Sequence, residues 1–472
     1  MSISCVSHSG RLASLPDSVL AIVLRDLPRE VLLRLRLVRH DFCNRLSKLL
    51  SNDAICFERR LRMPANLDDV PDLAAFLRGL CDRFGIIKTN TWCLRIDVRV
   101  QMDGDNYLFS CSRMSAREAL EIVTTAPLDI QLTTSGNSLG AAGAEALAPL
   151  LTVATRLTSL DLHSNALGAA GAASLAPRLA AMAQLTTLNL EANRLRTAGA
   201  ASLAPALAKM RQLTALNLCN NWLGAAGLTS LVPVLASMTQ LRTLELYTNS
   251  LGAAGAASLA PALATMPQLT ALDVHSNSLG AAGAASLALT LAMMPKLTSI
   301  HLGANGFEAA GVASLGPALA SLTKLTKLDL CYNGLGADGA ASLASALAAL
   351  PQMTALNLYT NSLGVAGAAS LAPALATMTQ LTSVHMGGNA LGAAGAALLA
   401  PALARMTRLT TLTLEDNRIG AEGAASLAPT LASMPQLTAL NLCMNALGAA
   451  GAESLAPVLA TMTQLTSLNL SA

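Results

Sequence analysis

Asp161 and His163 stand two residues apart, and so do Asp273 and His275. A carboxylate beside an imidazole is the pair from which general-base catalysis is built. A nucleophile must then stand within hydrogen-bond reach of the imidazole, and the pattern fixes no Ser, Cys or Lys there. The recurring GAAG and GAAGAAS segments are rich in glycine but lack the Lys-Ser/Thr that a phosphate-binding loop requires. Cys219, Cys331 and Cys443 recur 112 residues apart. If they lie four parallel strands apart, at about 4.8 Å per strand, neighbouring thiols are about 19 Å apart. Zinc ligands sit about 2.3 Å from their ion, so these cysteines are not expected to share a metal. The expectation is a binding surface, with no catalytic residue, no metal and no cofactor.

The elements that must carry these residues are repetitive. Asparagines fall at Asn137, Asn165, Asn193, Asn221, Asn249, Asn277, Asn305, Asn333, Asn361, Asn389, Asn417 and Asn445, each 28 residues from the next. Before Asn165, Leu160 and Leu162 alternate as in a strand. After it, Leu175, Leu179 and Met182 follow the spacing of one helical face. Gly168 and Gly171 lie between the two patterns and are expected to make the turn. A strand followed by a crossover helix puts successive strands parallel. The Asn side chain is expected to satisfy loop backbone, as scaffold rather than site. Nine prolines, Pro177, Pro205, Pro233, Pro261, Pro317, Pro373, Pro401, Pro429 and Pro457, fall two residues after the first helical leucine. Either each helix begins near its proline, or it is kinked there.

This pattern resembles the leucine-rich repeat, LxxLxLxxNxL, in its 28-residue ribonuclease-inhibitor form. The resemblance covers residues 128–472, about twelve units. It implies an α/β solenoid, a horseshoe with a parallel sheet inside and helices outside. On the inner face, outward strand positions would offer Asp161, His163, Glu191, Glu245, Tyr247, Asp273, His275, His301, Tyr359, His385 and Glu415 to a target. Tyr332 and Asp416 join them from the position just before Asn. The face is polar, mildly acidic and poor in Arg, unlike a phosphate reader. Several of its residues recur every four units, so recurrence counts once as evidence.

Charge divides the chain. Residues 1–130 hold 34 charged residues and residues 131–472 hold 25. The first stretch therefore reads as ordinary globular sequence and the second as nearly uncharged solenoid. The net charge of +3 gives no reason to expect nucleic acid. No uninterrupted apolar run reaches the roughly 20 residues of a membrane span. Met1–Gly10 has no apolar signal core, and nine cysteines show no close pairing pattern. An intracellular location, cytoplasmic or nuclear, is expected.

Residues 1–12 are expected to be disordered. Residues 14–61 read as three short helices, with Val19, Leu20 and Val23 on one face of the first. They resemble the F-box, LPxEvLxxIlxxLpxxdLlrlrlVcrrwrrl, through Leu15, Pro16, Val19, Leu20, Ile22, Leu27, Pro28, Leu32, Leu35, Leu37, Val38 and Leu46. Ser18 stands in place of Glu, Arg39 in place of Cys, and Phe42 keeps an aromatic where Trp is usual. The resemblance implies that residues 13–62 dock a Skp-type adaptor through Leu15, Pro16, Val19, Leu20, Ile22, Leu27, Pro28, Leu35, Val38 and Phe42. A three-helix cap on the solenoid is the other reading of these residues. Residues 63–127 are expected to form a small α+β joint. In it, Leu73, Phe76, Leu77 and Leu80 suggest a helix, 93–100 a strand, 103–106 a turn and 107–109 a returning strand. Ser115 and Glu118 would cap a further helix.

An F-box followed by such repeats implies the substrate-recognition subunit of a cullin–RING ubiquitin ligase, with a Skp-type adaptor, a cullin and a protein target as partners. The alternative is a stand-alone regulator like ribonuclease inhibitor or the Ran GTPase-activating protein. A fragment of an innate-immune receptor is a third reading, and no nucleotide-binding module supports it.

Overall fold

The computed structural model describes residues 138–153 and 157–471, and the backbone of three strands before them: β1 (Leu94–Met102), β2 (Asp105–Met114) and β3 (Asp129–Thr133). The F-box residues, the helix expected at 73–80 and the one expected from Ser115 lie outside the described residues. Contacts divide the chain into two compact units, Met1–Asn193 with Pro205–Leu213, and Arg194–Ala204 with Thr214–Ala472.

In the first unit, β1 and β2 form an antiparallel hairpin, and β1 also pairs antiparallel with β3. From β3 onward the pairing is parallel, through β4 (Ser159–Asp161) to β5 (Thr187–Asn189). Helices α1 (Gly140–Val153) and α2 (Gly168–Leu179) make the crossovers. The hairpin thus occupies the edge of β3 that faces away from β4.

The second unit repeats one plan. Its strands include β6 (Ala215–Asn217), β7 (Thr243–Glu245), β8 (Ala271–Asp273), β9 (Ser299–His301), β10 (Lys327–Asp329), β11 (Ala355–Asn357), β12 (Ser383–His385), β13 (Thr411–Thr413), β14 (Ala439–Asn441) and β15 (Ser467–Asn469). Each pairs in parallel with the next, residue i with residue i+28. The middle residue of each strand from β6 to β14 is a buried Leu, Ile or Val, and its two neighbours face the opposite side and are at least partly exposed. A helix of 12 to 14 residues follows every strand from β6 to β14. Leu, Met and small residues fill the space between the two layers, with Phe307 the largest side chain fully enclosed. Among the described residues no helix is long and apolar enough to cross a membrane.

One expectation needs correction, and one open alternative is narrowed. Gly171 does not turn the chain. It lies inside α2, where an added Cβ would sit 3.1 Å from Leu167 Cβ and 3.2 Å from Ala144 Cβ on the neighbouring helix. The glycine column is therefore a packing feature that lets successive helices approach closely. Gly168, at φ +63°, does make the turn. The prolines do not start the helices either: α2 begins at Gly168, nine residues before Pro177. Each of the nine prolines lies near its helix's C-terminal end on the exposed side, where the carbonyl it leaves unpaired can reach water.

Candidate functional site

Each strand from β4 to β14 is followed by a buried asparagine that ties it to its neighbours. Asn193, fully buried, donates from Nδ2 to Leu162 O of the preceding repeat (2.8 Å) and to Leu190 O of its own (2.9 Å). Its Oδ1 accepts from Asn165 N at 3.1 Å. Asn165, Asn221, Asn249, Asn277, Asn305, Asn333, Asn361, Asn389, Asn417 and Asn445 are likewise buried, and their links repeat along each unit, as in Asn277 N to Asn305 Oδ1 at 3.0 Å. A threonine ladder, which the repeat pattern had not brought out, adds to these. Thr298 Oγ1 donates to Thr270 O, Thr326 to Thr298 O and Thr354 to Thr326 O. Its signal in the sequence is the threonine seven positions before nearly every Asn.

With the register fixed, the residues flanking each buried strand leucine project from the open face of the sheet, opposite the helices. In the first unit Asp161, His163 and Glu191 are half-buried on that face; in the second Glu245, Tyr247, Asp273, His275, His301, Tyr359, His385 and Glu415 are half-buried, and Tyr332 and Asp416 are exposed.

The two Asp–His pairs behave differently. His163 Nδ1 lies 2.7 Å from Asp161 Oδ1. Both aspartates accept from the main-chain N of their own histidine (3.0 Å at His163, 2.9 Å at His275), but Asp273 places its other oxygen 3.6 Å from His301 Nδ1 on the next strand. A hydrogen bond to Asp273 holds the His301 pKa above its ordinary value, against the opposing effect of burial. His275 turns its imidazole away, toward Gly303 and Cys331. The Cys331 thiol is pushed up to about 12, by burial first and by the neighbouring Asp329 carboxylate second. His275, Asp329 and Cys331 bring their ligating atoms within 4.8 Å of one another. The spacing argument against a pair of cysteines does not reach this trio, which spans only β8 to β10 and uses three residue types.

A second grouping surrounds Gly387. A Cβ there would meet Glu415 Cδ at 2.6 Å and Tyr359 Cε2 at 2.8 Å, so these side chains close over the glycine. Tyr332 stacks edge-on against Tyr359 at 5.2 Å. Tyr332's hydrogen bond to the Tyr359 phenol, followed by burial, raises the Tyr359 pKa. Glu415 Oε2 is shielded and has no hydrogen-bond partner among the described residues. Far from this grouping, on the loop after β6, Trp222 is 46% exposed between Arg194 and Arg196, whose guanidinium carbons lie 6.0 and 5.6 Å from its ring. Sequence reasoning passed over Trp222. Its signal was a lone aromatic in the column after Asn, which otherwise holds small residues and Arg.

The fold and this face define a leucine-rich-repeat solenoid. The leucine-rich-repeat family model matches at residues 154–176, 321–344, 377–400, 406–428 and 433–456. No curated protein matches the sequence. Among solved structures, the chain is similar to an internalin (inlF) from Listeria monocytogenes, with 21% identity over 84% of this chain and 88% of that one, at a TM-score of 0.48. It is also similar to TLR13 in a TLR13–ssRNA13 complex, with 18% identity over 76% of this chain and 49% of that one, at a TM-score of 0.40.

Proposed function

We propose that the chain is a protein-binding scaffold whose open sheet face holds a target, and that residues 13–62 dock a Skp-type adaptor to form a cullin–RING substrate receptor. The target-binding half is carried by the cluster of Tyr332, Tyr359 and Glu415. An aromatic pair, with Tyr332 exposed and Tyr359 half-buried, supplies the kind of contact that dominates interface energetics. Glu415 beside it has a shielded carboxylate oxygen with no hydrogen-bond partner among the described residues, and rotation of this half-buried side chain would offer it to a Lys, Arg or hydroxyl donor of the partner. Asp416, Asp273 and Asp329 add to the acidic character, so the face fits a basic segment of a protein. The chemistry would be proximity alone, with ubiquitin transfer carried out by other subunits.

The adaptor-docking half rests on the sequence of residues 13–62. Its test is co-precipitation of a Skp-type adaptor with the full chain and with a Leu15→Ala, Pro16→Ala variant. Adaptor capture by the wild type and its loss in the variant is the expected result. If the wild type captures no adaptor, or the variant retains it, the receptor reading fails and the stand-alone regulator of ribonuclease-inhibitor type takes its place.

A further inference from the structure

Side chains in one column of a parallel sheet touch across one strand spacing, about 4.8 Å, and are separated across two by the residue between them. In the β9 repeat, two residues past the strand, the residue between is Gly303. A Cβ built on it would lie 2.6 Å from Cys331 Sγ and 2.7 Å from His275 Nδ1. The missing side chain therefore lets a thiol from the β10 repeat and an imidazole from the β8 repeat lean into one space. Asp329, two residues before Cys331 and on the same face, brings a carboxylate to the same place.

These donors are held by their surroundings. Asp329 Oδ1 accepts from the main-chain N of Cys331 (2.9 Å), and Oδ2 accepts from Asn357 Nδ2 (2.9 Å). Each oxygen keeps a lone pair for another partner. The main-chain N of His275 is tied to Asp273 Oδ1, and Tyr247 packs its edge against the His275 ring at 6.4 Å. Ligand orientation of this kind, from groups that do not touch the ion, is what metal centres rely on.

We propose that His275, Asp329 and Cys331 form a metal site for a zinc-class divalent ion, with Gly303 as the gap that admits it. One imidazole, one carboxylate and one thiolate suit Zn²⁺ or Co²⁺ and not the hard ions Mg²⁺ and Ca²⁺. Ligands about 2.0–2.3 Å from a shared ion lie roughly 3.5 Å apart. The donor atoms, within 4.8 Å of one another, reach that arrangement by small side-chain rotations. Three protein ligands leave the fourth position to water. The sequence carries an internal comparison. Four repeats earlier His163 and Cys219 hold the same spacing, but Glu191 replaces the glycine and Asn217 replaces the aspartate, so no such site is expected there.

The test is Co²⁺ and Zn²⁺ titration of the full chain, stripped with chelator beforehand. The wild type should develop a thiolate-to-cobalt charge-transfer band and hold one more equivalent of Zn²⁺ than a His275→Ala, Cys331→Ser variant. Asp329→Asn, the residue found at the matching position 217, should weaken binding with little change in volume. Gly303→Ala should weaken it although no donor is removed, and Asn357→Leu should weaken it about 10–100-fold through Asp329. Circular dichroism shows whether each variant is folded. Equal metal content in the wild type and the double variant, or a wild type without the charge-transfer band, overturns the proposal.

Discussion

Tyr332 and Tyr359 meet edge to face, their ring centroids 5.2 Å apart and their planes 64° from parallel. Tyr332 contributes the exposed ring, 53% accessible, and it does so from a left-handed backbone position at φ +53°. Tyr359 comes from the next repeat, half-buried beside Glu415. The pair is thus pre-organised before any partner arrives, which lowers the entropic cost of using it.

Changing Tyr332 and Tyr359 to Ala should weaken target binding by about 1–3 kcal/mol each, in the range of interface hot spots. Neither ring belongs to the leucine core, so the thermal midpoint should hardly move. Calorimetry on the purified variants, beside a binding titration, separates the two effects. A drop in stability with binding intact would make the pair structural.

The asparagine ladder predicts the opposite profile. Asn417 Nδ2 donates to Met386 O and Leu414 O, both at 2.9 Å, and Oδ1 accepts from Asn389 N at 3.0 Å. Asn417→Ala strands all of these groups in a dry interior, at a cost of about 1–3 kcal/mol for each left unpaired. Urea denaturation should show a lower midpoint, with binding at the Tyr332 cluster retained by the molecules that remain folded. A change under about 0.5 kcal/mol would mean that water replaces the amide.

The repeat, its parallel strands and its buried asparagines were legible because 28-residue periodicity is a one-dimensional signal and needs no tertiary knowledge. Leu160 and Leu175 announce their faces by spacing alone. Gly171 was misread because a glycine between two patterns looks like a turn, and only the neighbouring helix, with Ala144 at 3.2 Å, reveals the close approach. The prolines were ambiguous for a related reason: the helix starts among Gly and Ala, which carry no periodic signal. The trio of His275, Asp329 and Cys331 escaped because it depends on an absence, the missing side chain of Gly303, one repeat from both His275 and Cys331. Two of its donors share one column with that glycine, and the third, Asp329, comes from the column beside it.

The glycine column has its own test. At Gly283 a Cβ would sit 2.8 Å from Leu279 Cβ and 3.2 Å from Ala256 Cβ. Replacing a helical glycine with Ala ordinarily gains about 1 kcal/mol. Overpacking costs about 1–3 kcal/mol, and a β-branched side chain brings more atoms into the same overlap. Gly283→Val should therefore destabilise the protein clearly, and Gly283→Ala should gain little or lose. Unfolding midpoints that rise for both variants would show that the helices separate easily.

Glu308 stands where the adjacent repeats have Gly280 and Gly336, and it adopts their left-handed backbone, at φ +54° against +62° for both glycines. For a residue with a Cβ that conformation costs about 1–2 kcal/mol. Glu308 also opens a helix, Glu308–Ser321, where its negative charge is favourable by about 0.3–1 kcal/mol. Glu308→Gly removes both terms and adds unfolded-state freedom, so its net effect on stability should be small. Glu308→Ala removes the charge and keeps the strain, so it should destabilise. The ordering of the two variants is the decisive reading. In a helix interior Ala exceeds Gly by about 1 kcal/mol, and at position 308 Gly should exceed Ala by a similar amount. Denaturant unfolding of the two variants measures the difference directly, and an Ala variant more stable than the Gly variant would show that the turn bears no strain at this position.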